Sequence, residues 1–248
     1  MNYDQVMAEM SKTVDQAMRV LGSLHEEGPA PLGVLARRLG SSRTVVSRLV
    51  ATLEAHALVR RTPAGYELGF GLLRLAGGLI PDLRRIAEPH LRSLAEQFDE
   101  TSVLAAADGD AAVAVHLVVP ERQVIRVHYR SGFRHSLLTG AHGRAILAFA
   151  DPATVERITG GSQQEDLAAI RGRGYAVTHD ELEPGVVGIA APVLNGGGAA
   201  VASIGLVAPS ARYPEREPVA AAVIAAARAI ADELHRLDHV NAPSTRSA

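Results

Sequence analysis

Apolar residues recur every three or four positions through most of the first hundred residues, and in shorter alternating or continuous runs after that. The first regime predicts amphipathic helices, the second strands with helices between them. Val14, Ala17, Met18, Leu21 and Leu24 form one helical stripe that Gly28-Pro29 ends. Leu32, Leu35, Ala36 and Leu39 share the face of a second, shorter helix. Gly40 then leaves the helix, and Ser41 or Ser42 caps a third one. In that third helix Val45, Val46, Leu49, Val50 and Leu53 are expected to face inward. Ala57 to Thr62 reads as a strand, Pro63-Ala64-Gly65 as a turn and Tyr66 to Gly69 as the returning strand. Helix, turn, helix and small hairpin follow one another in the order of a winged helix-turn-helix.

From Phe70 the helical pattern resumes, with Leu72, Leu73, Leu75 and Ala76, then Leu83, Ile86, Ala87, Leu91, Leu94 and Phe98. A break is expected at Gly77-Gly78, ahead of Pro81. These leucines exceed what a solvated connector needs, so the segment is expected to dimerise or to pack on a neighbouring domain. Strands are expected over Thr101 to Ala107, Ala111 to Val118 and Val124 to Tyr129, with Asp108-Gly109-Asp110 as a hairpin turn. Helices are expected over Gly140 to Phe149, Pro152 to Ile158 and Gln163 to Arg171. Tyr175 to Val177, Val187 to Leu194 and Val201 to Val207 read as further strands, and Pro214 opens a last alanine-rich helix. Hairpins joined in sequence with helices gathered around them predict an α+β domain on a mainly antiparallel sheet. The expected organisation is a winged helix-turn-helix over 1–70, linker helices over 71–99, a second domain over 100–240 and a disordered tail over 241–248. Met1 to Ser11 is expected to fray.

Composition narrows the function. The chain of 248 residues is close to neutral, at a formal charge of -2, so any nucleic-acid contact must come from a local patch. Such a patch is present. From Arg37 to Gly65 the charged residues are Arg37, Arg38, Arg43, Arg48, Arg60, Arg61 and one acid, Glu54. On the third helix the outward face carries Arg43, Thr44, Ser47 and Arg48, short polar groups and guanidiniums that suit a DNA major groove. Ser42 at its start, and Arg60, Arg61 and Thr62 on the hairpin, complete the expected DNA contact. A plain helical hairpin with a solvated face is the alternative for the helices alone. The absence of cysteine excludes disulfides and thiolate metal sites and fits a reducing cytoplasm. The opening residues are no signal peptide, and no apolar run reaches membrane-spanning length.

The residues Gly65-Tyr66-Glu67-Leu68-Gly69, Ala141-His142-Gly143-Arg144-Ala145-Ile146-Leu147-Ala148, Ile170 to Ala176, Asp180-Glu181 with Gly185, and Ala190-Ala191-Pro192-Val193 together resemble the IclR family of bacterial transcription regulators, over about Thr13 to Leu237. The resemblance implies a winged DNA-binding domain, a dimerising linker and a C-terminal domain of the GAF/PAS-like kind with a small-molecule effector in a cavity beside its sheet. It implies dimers that often pair into tetramers, and effectors that are mostly small organic acids, many aromatic; a two-fold dimer in turn demands an inverted-repeat operator on double-stranded DNA. The chain departs from the family pattern in three places. Gly143-Arg144 replaces a usual Gly-Lys, Ser136-Leu137-Leu138 a frequent Pro-Leu-His, and Gly205 and Val207 stand where serines often hold a ligand carboxylate. These departures predict a more apolar cavity.

The cavity walls expected from the sequence are Val127 and Tyr129 on one strand, Leu138, Gly140, Ala141 and His142 at a glycine-flanked helix start, Val187, and Gly205 with Val207. Strand positions two apart share a face, free N–H groups at the helix start attract a ligand oxygen, and Gly205 is expected to leave room. No cofactor or metal is expected: His116 and His128 lack an evident acidic partner. The rival reading is a winged-helix protein fused to a hydrolase or acyltransferase. Ser136, His142 and Asp180 have the residue types of a hydrolytic triad, but no nucleophile elbow accompanies them. Arg171 to Ala176 faintly resembles an acyl-CoA loop, yet it follows a helix and precedes a strand, the reverse of what a pyrophosphate site needs.

Overall fold

The computed structural model describes residues 11–77, 80–120, 122, 127, 129–212 and 216–241. The chain forms two compact units, Met1–Pro81 and Asp82–Ala248, so the division falls inside the segment expected to link the domains.

The first unit holds α1 (Lys12–Glu27), α2 (Leu32–Arg38), α3 (Arg43–Ala55), the hairpin β1 (Val59–Thr62) and β2 (Gly65–Leu68), and α4 (Gly71–Gly77). Val20, Leu24, Leu35, Ala36, Val46, Leu49, Val50 and Leu53 make its core. Three expected inward positions face out. Val14 and Met18 are 55% and 56% exposed, because α1 packs through the flank centred on Val20 rather than the one centred on Met18. Val45 is likewise exposed, while Val46 is fully buried. Gly40 adopts positive φ as expected, and Ser42 is the capping residue, its Oγ accepting from Val45 N at 3.3 Å. The hairpin gains a third stretch of backbone: Ala30 and Tyr66 exchange two hydrogen bonds of 2.9 Å. Gly65 permits this, since a Cβ there would lie 2.4 Å from the Ala30 carbonyl carbon, and its φ is +122°.

The second unit is built on a six-stranded antiparallel sheet in the order β5-β4-β3-β8-β7-β6. The strands are β3 (Thr101–Asp108), β4 (Ala111–Val118), β5 (Arg134–Ser136), β6 (Ala176–His179), β7 (Val186–Leu194) and β8 (Ala200–Pro209). Helix α5 (Pro81–Phe98) and the long α9 (Arg216–Asn241) cover one face, where Ile86, Leu91, Leu104, Ile189, Ile204, Val223 and Ile230 pack together. Helix α6 (Gly140–Ala148) covers the other, with α7 (Pro152–Thr159) and α8 (Gln164–Arg173) outside it. Helix α6 is buried along its length apart from Arg144, which is why it is almost free of polar residues. The unit is α+β, as its alternation of hairpins and helices predicts.

Several expectations fall on residues outside the described ones: the frayed start before Ser11, the break at Gly78, most of the strand over Val124 to Tyr129, His128, Pro214, and the tail after Asn241. Val127 and Tyr129 are described and lie in no strand. Asn241, placed in the tail by sequence, ends α9. The short β5, which pairs with β4 through Ala112 and His135, was not expected. Its three residues, Arg134, His135 and Ser136, are all polar, so no apolar alternation announces it.

Candidate functional site

The outward face of α3 is open. Ser42, Arg43, Thr44, Ser47 and Arg48 are all exposed, and the one acid of α3, Glu54, is exposed in its last turn. The hairpin arginines differ from one another. Arg60 is ion-paired with Glu67 across the β1–β2 ladder and lies 4.6 Å from the centre of the Phe70 ring. Arg61 lies 6.0 Å from the Tyr66 ring and has no ion-pair partner among the described residues. Thr62 is half-buried, its hydroxyl donating to Gly65 O at 3.2 Å, so it holds the turn together. Arg38 is paired with Glu27 at 3.0 Å. The basic run of the sequence is therefore partly neutralised by acids from outside it, Glu27 and Glu67. Arg37, Arg43, Arg48 and Arg61 remain unpaired among the described residues.

A small cavity lies between the sheet and the start of α6. Of the residues expected around it, Tyr129, Ala141, His142 and Val207 line it. Thr178, Glu181, Leu182, Val186 and Gly188 line it too and were not expected. The space suits one water, with about 10 Å³ open to the centre of a water molecule. Tyr129 is 8% exposed and meets Phe133 edge-on at 4.8 Å between ring centres. Burial, and then the carboxylate of Glu183, push its phenol up to about 12. His142 is 3% exposed. Burial, helped by the neighbouring His135, brings its ring down to about 3, so it is neutral at ordinary pH. Its Nδ1 lies 2.9 Å from Ser203 Oγ on β8, and its Nε2 has no partner among the described residues.

Five expected wall positions are placed differently. Val187 is fully buried but on the far face of the sheet, one residue out of register. It is Gly188 whose missing Cβ would touch Ala141, at 3.2 Å. Gly205 lies on the α6 side of β8, yet it leaves no room for a ligand. A Cβ there would fall 2.0 Å from Ile189 O and 2.7 Å from Ala190 Cα, so this glycine serves close contact with β7. Leu138 packs with the α6 core instead of lining the cavity. Gly140 does start α6, but its N–H is taken: it donates to Glu181 Oε2 at 2.8 Å. Val127 packs behind the wall with Val103, Tyr129 and Val207.

Glu181 is thus a central group that sequence reasoning missed. Its other oxygen lies 2.9 Å from Arg144, and it closes the loop between β6 and β7 over the cavity. Ser203 was missed as well. The signal for it was a lone serine inside the apolar run of β8. The suggested triad does not assemble. His142 bonds Ser203, and the Asp180 carboxylate accepts from Gly185 N at 2.6 Å to hold a turn. His116, expected to lack an acidic partner, is hydrogen-bonded to Glu88. This contact, ahead of the guanidinium of Arg92, holds the Glu88 carboxyl below its usual value. A wider cleft of about 260 Å³ lies between β7 and α9, floored by Ala191 and Pro192, with Arg171 and Arg228 on its lining. No buried unpartnered group among the described residues belongs to it.

Residues 80–235 match the family described as bacterial transcriptional regulator IclR C-terminal, and residues 15–66 match the MarR family. The HTH-type transcriptional regulator KipR of Bacillus subtilis is 30% identical over 229 residues, which cover 84% of this chain and 90% of that protein. Among solved structures, the Thermotoga maritima IclR superposes with a TM-score of 0.78 at 23% identity, covering 90% of this chain and 98% of that one. An IclR homolog from Microbacterium hydrocarbonoxydans, complexed with 4-hydroxybenzoate, superposes with a TM-score of 0.75 at 21% identity over 91% of this chain and 100% of that one. The order of winged helix-turn-helix and sheet-and-helix cavity agrees with both family matches, and the chain belongs to the IclR family of bacterial transcriptional regulators.

Proposed function

We propose that α3 enters the major groove of a two-fold operator and that a small molecule in the cavity beside α6 modulates that binding. The chain is a DNA-binding transcriptional regulator by family. The observation that carries the DNA reading is the exposed face of Arg43, Thr44, Ser47 and Arg48. Ser42 and Arg61 flank it with donors for phosphate, while Thr62 and Arg60 shape the wing through their internal bonds. The cavity reading is supported by the buried His142 Nε2, unpartnered among the described residues, and by the ligand held by the Microbacterium hydrocarbonoxydans neighbour.

The active species is a dimer. Phe70, Leu73 and Leu75 are 67%, 70% and 60% exposed, and three large apolar side chains so close in sequence suit a partner copy. Its place is the cytoplasm, where the DNA is, and no described helix is long and apolar enough to cross a membrane. A ligand switches binding only through different affinity for two arrangements of the protein. Titration of the protein onto labelled duplexes tests the DNA reading. Arg48→Ala should lower affinity for the preferred site about tenfold to a hundredfold and relax sequence preference, since a good base contact is worth about 1–3 kcal/mol. Unchanged affinity and preference would mean that α3 is not the reading helix.

A further inference from the structure

The cavity beside α6 contains a buried histidine nitrogen that no described residue satisfies. Ser203 Oγ has one proton to give, and the backbone oxygen of His142 stands 3.4 Å away to receive it. If the proton goes to that oxygen, the lone pairs of the hydroxyl face His142 Nδ1, 2.9 Å off, and Nδ1 is the nitrogen that bears hydrogen. The ring is neutral, and its other nitrogen therefore presents a bare lone pair. Nε2 is buried and unpartnered among the described residues, and His142 lines the cavity.

The charge around the cavity points the same way. The described lining residues include no arginine and no lysine. They include Glu181, whose carboxylate already occupies the leading N–H of α6, the group that would otherwise draw an anion. Arg144 pairs with that same carboxylate at 2.9 Å, while its Nε is buried without a partner among the described residues. Glu183 stands close enough to oppose ionisation of Tyr129. An incoming carboxylate would meet a lone pair and the carboxylate of Glu181. A hydroxyl or amide N–H would meet an acceptor with no other partner.

We propose, resting on the reading of this cavity as the effector site, that it selects a small neutral molecule of the phenol or alcohol class, which donates a hydrogen bond to His142 Nε2, and discriminates against carboxylates. The space now holds about one water, so a ring-sized ligand displaces Leu182, whose Cδ1 stands 2.6 Å from where a Cβ on Gly140 would be. Ser203 acts as a positioning residue, through the histidine.

Three monosubstituted benzenes test this with the full chain: phenol, anisole, which lacks the donor proton, and benzoate. Nitrogen-detected NMR of the histidine rings reports the tautomer, and His142→Phe assigns the signal among the ten histidines. The expected results are an Nδ1–H tautomer at neutral pH, phenol binding that shifts the His142 ring, and at least tenfold weaker binding of anisole and benzoate. Ser203→Ala should free the tautomer and narrow the gap between phenol and anisole. A ring protonated on Nε2 overturns the proposal. So does benzoate bound at His142 as tightly as phenol, which would leave the cavity standing as the effector site. Binding of none of the probes, with His142 unperturbed, overturns the proposal and the cavity reading together.

Discussion

Tyr129 and Gly205 show how much single positions depend on what surrounds them. The phenol of Tyr129 is raised to about 12, so the unfolded chain releases that proton first. Its contribution to stability is full below about pH 10, the ordinary tyrosine value, and is lost as pH rises toward 12. A spectrophotometric alkaline titration should show one of the five tyrosines ionising late. Simultaneous ionisation of all five would put Tyr129 in water. Glu88 works in the opposite direction. Its carboxyl is held low by His116, so that stabilisation is present above the ordinary glutamate value and is lost as pH falls through it. Glu88→Gln should flatten the acid limb of a melting-temperature profile, and an unchanged limb would discount the pair. Gly205→Ala forces a methyl against the β7 backbone. It should destabilise the protein by about 3 kcal/mol or more in denaturant titration. A neutral effect would mean that β7 and β8 are further apart than described.

At the scale of elements, helices and turns were legible and faces less so. The capping serine, the positive φ of Gly40 and the wing order follow from turn chemistry, which is local. The strand β7, VVGIAAPVL, is buried on both faces and carries no polar residue to mark either. That is why Val187 was assigned to the cavity in place of Gly188. Likewise His142 and Ser203 are 61 residues apart and meet only because α6 lies on β8. The pairing of Arg60 with Glu67 is a cross-strand contact, and it changes which wing residue is expected to meet phosphate. Arg61→Ala should weaken binding to all duplexes and lower the salt slope by about 1, whereas Arg60→Ala should act mainly through the wing. Equal slopes for the wild type and Arg61→Ala would remove Arg61 from the interface.

At the scale of the whole molecule, the account rests on two copies acting together. The exposed Phe70, Leu73 and Leu75 should hold a dimer at micromolar concentration, and Leu73→Glu with Leu75→Glu should yield monomers by light scattering. A dimer unaffected by both changes would place its interface elsewhere. Two-fold pairing of identical reading helices has a consequence in the DNA itself: half-sites must be inverted repeats, centred about one helical turn or a multiple apart. The most direct measurement is therefore in vitro selection from random duplexes with the full chain, beside Arg48→Ala. Enrichment of an inverted repeat by the native protein, with loss of preference at particular base pairs in the variant, is the expected result. Enrichment of single half-sites, or identical selected sequences from both proteins, would contradict the central claim that α3 reads DNA as one half of a symmetric pair.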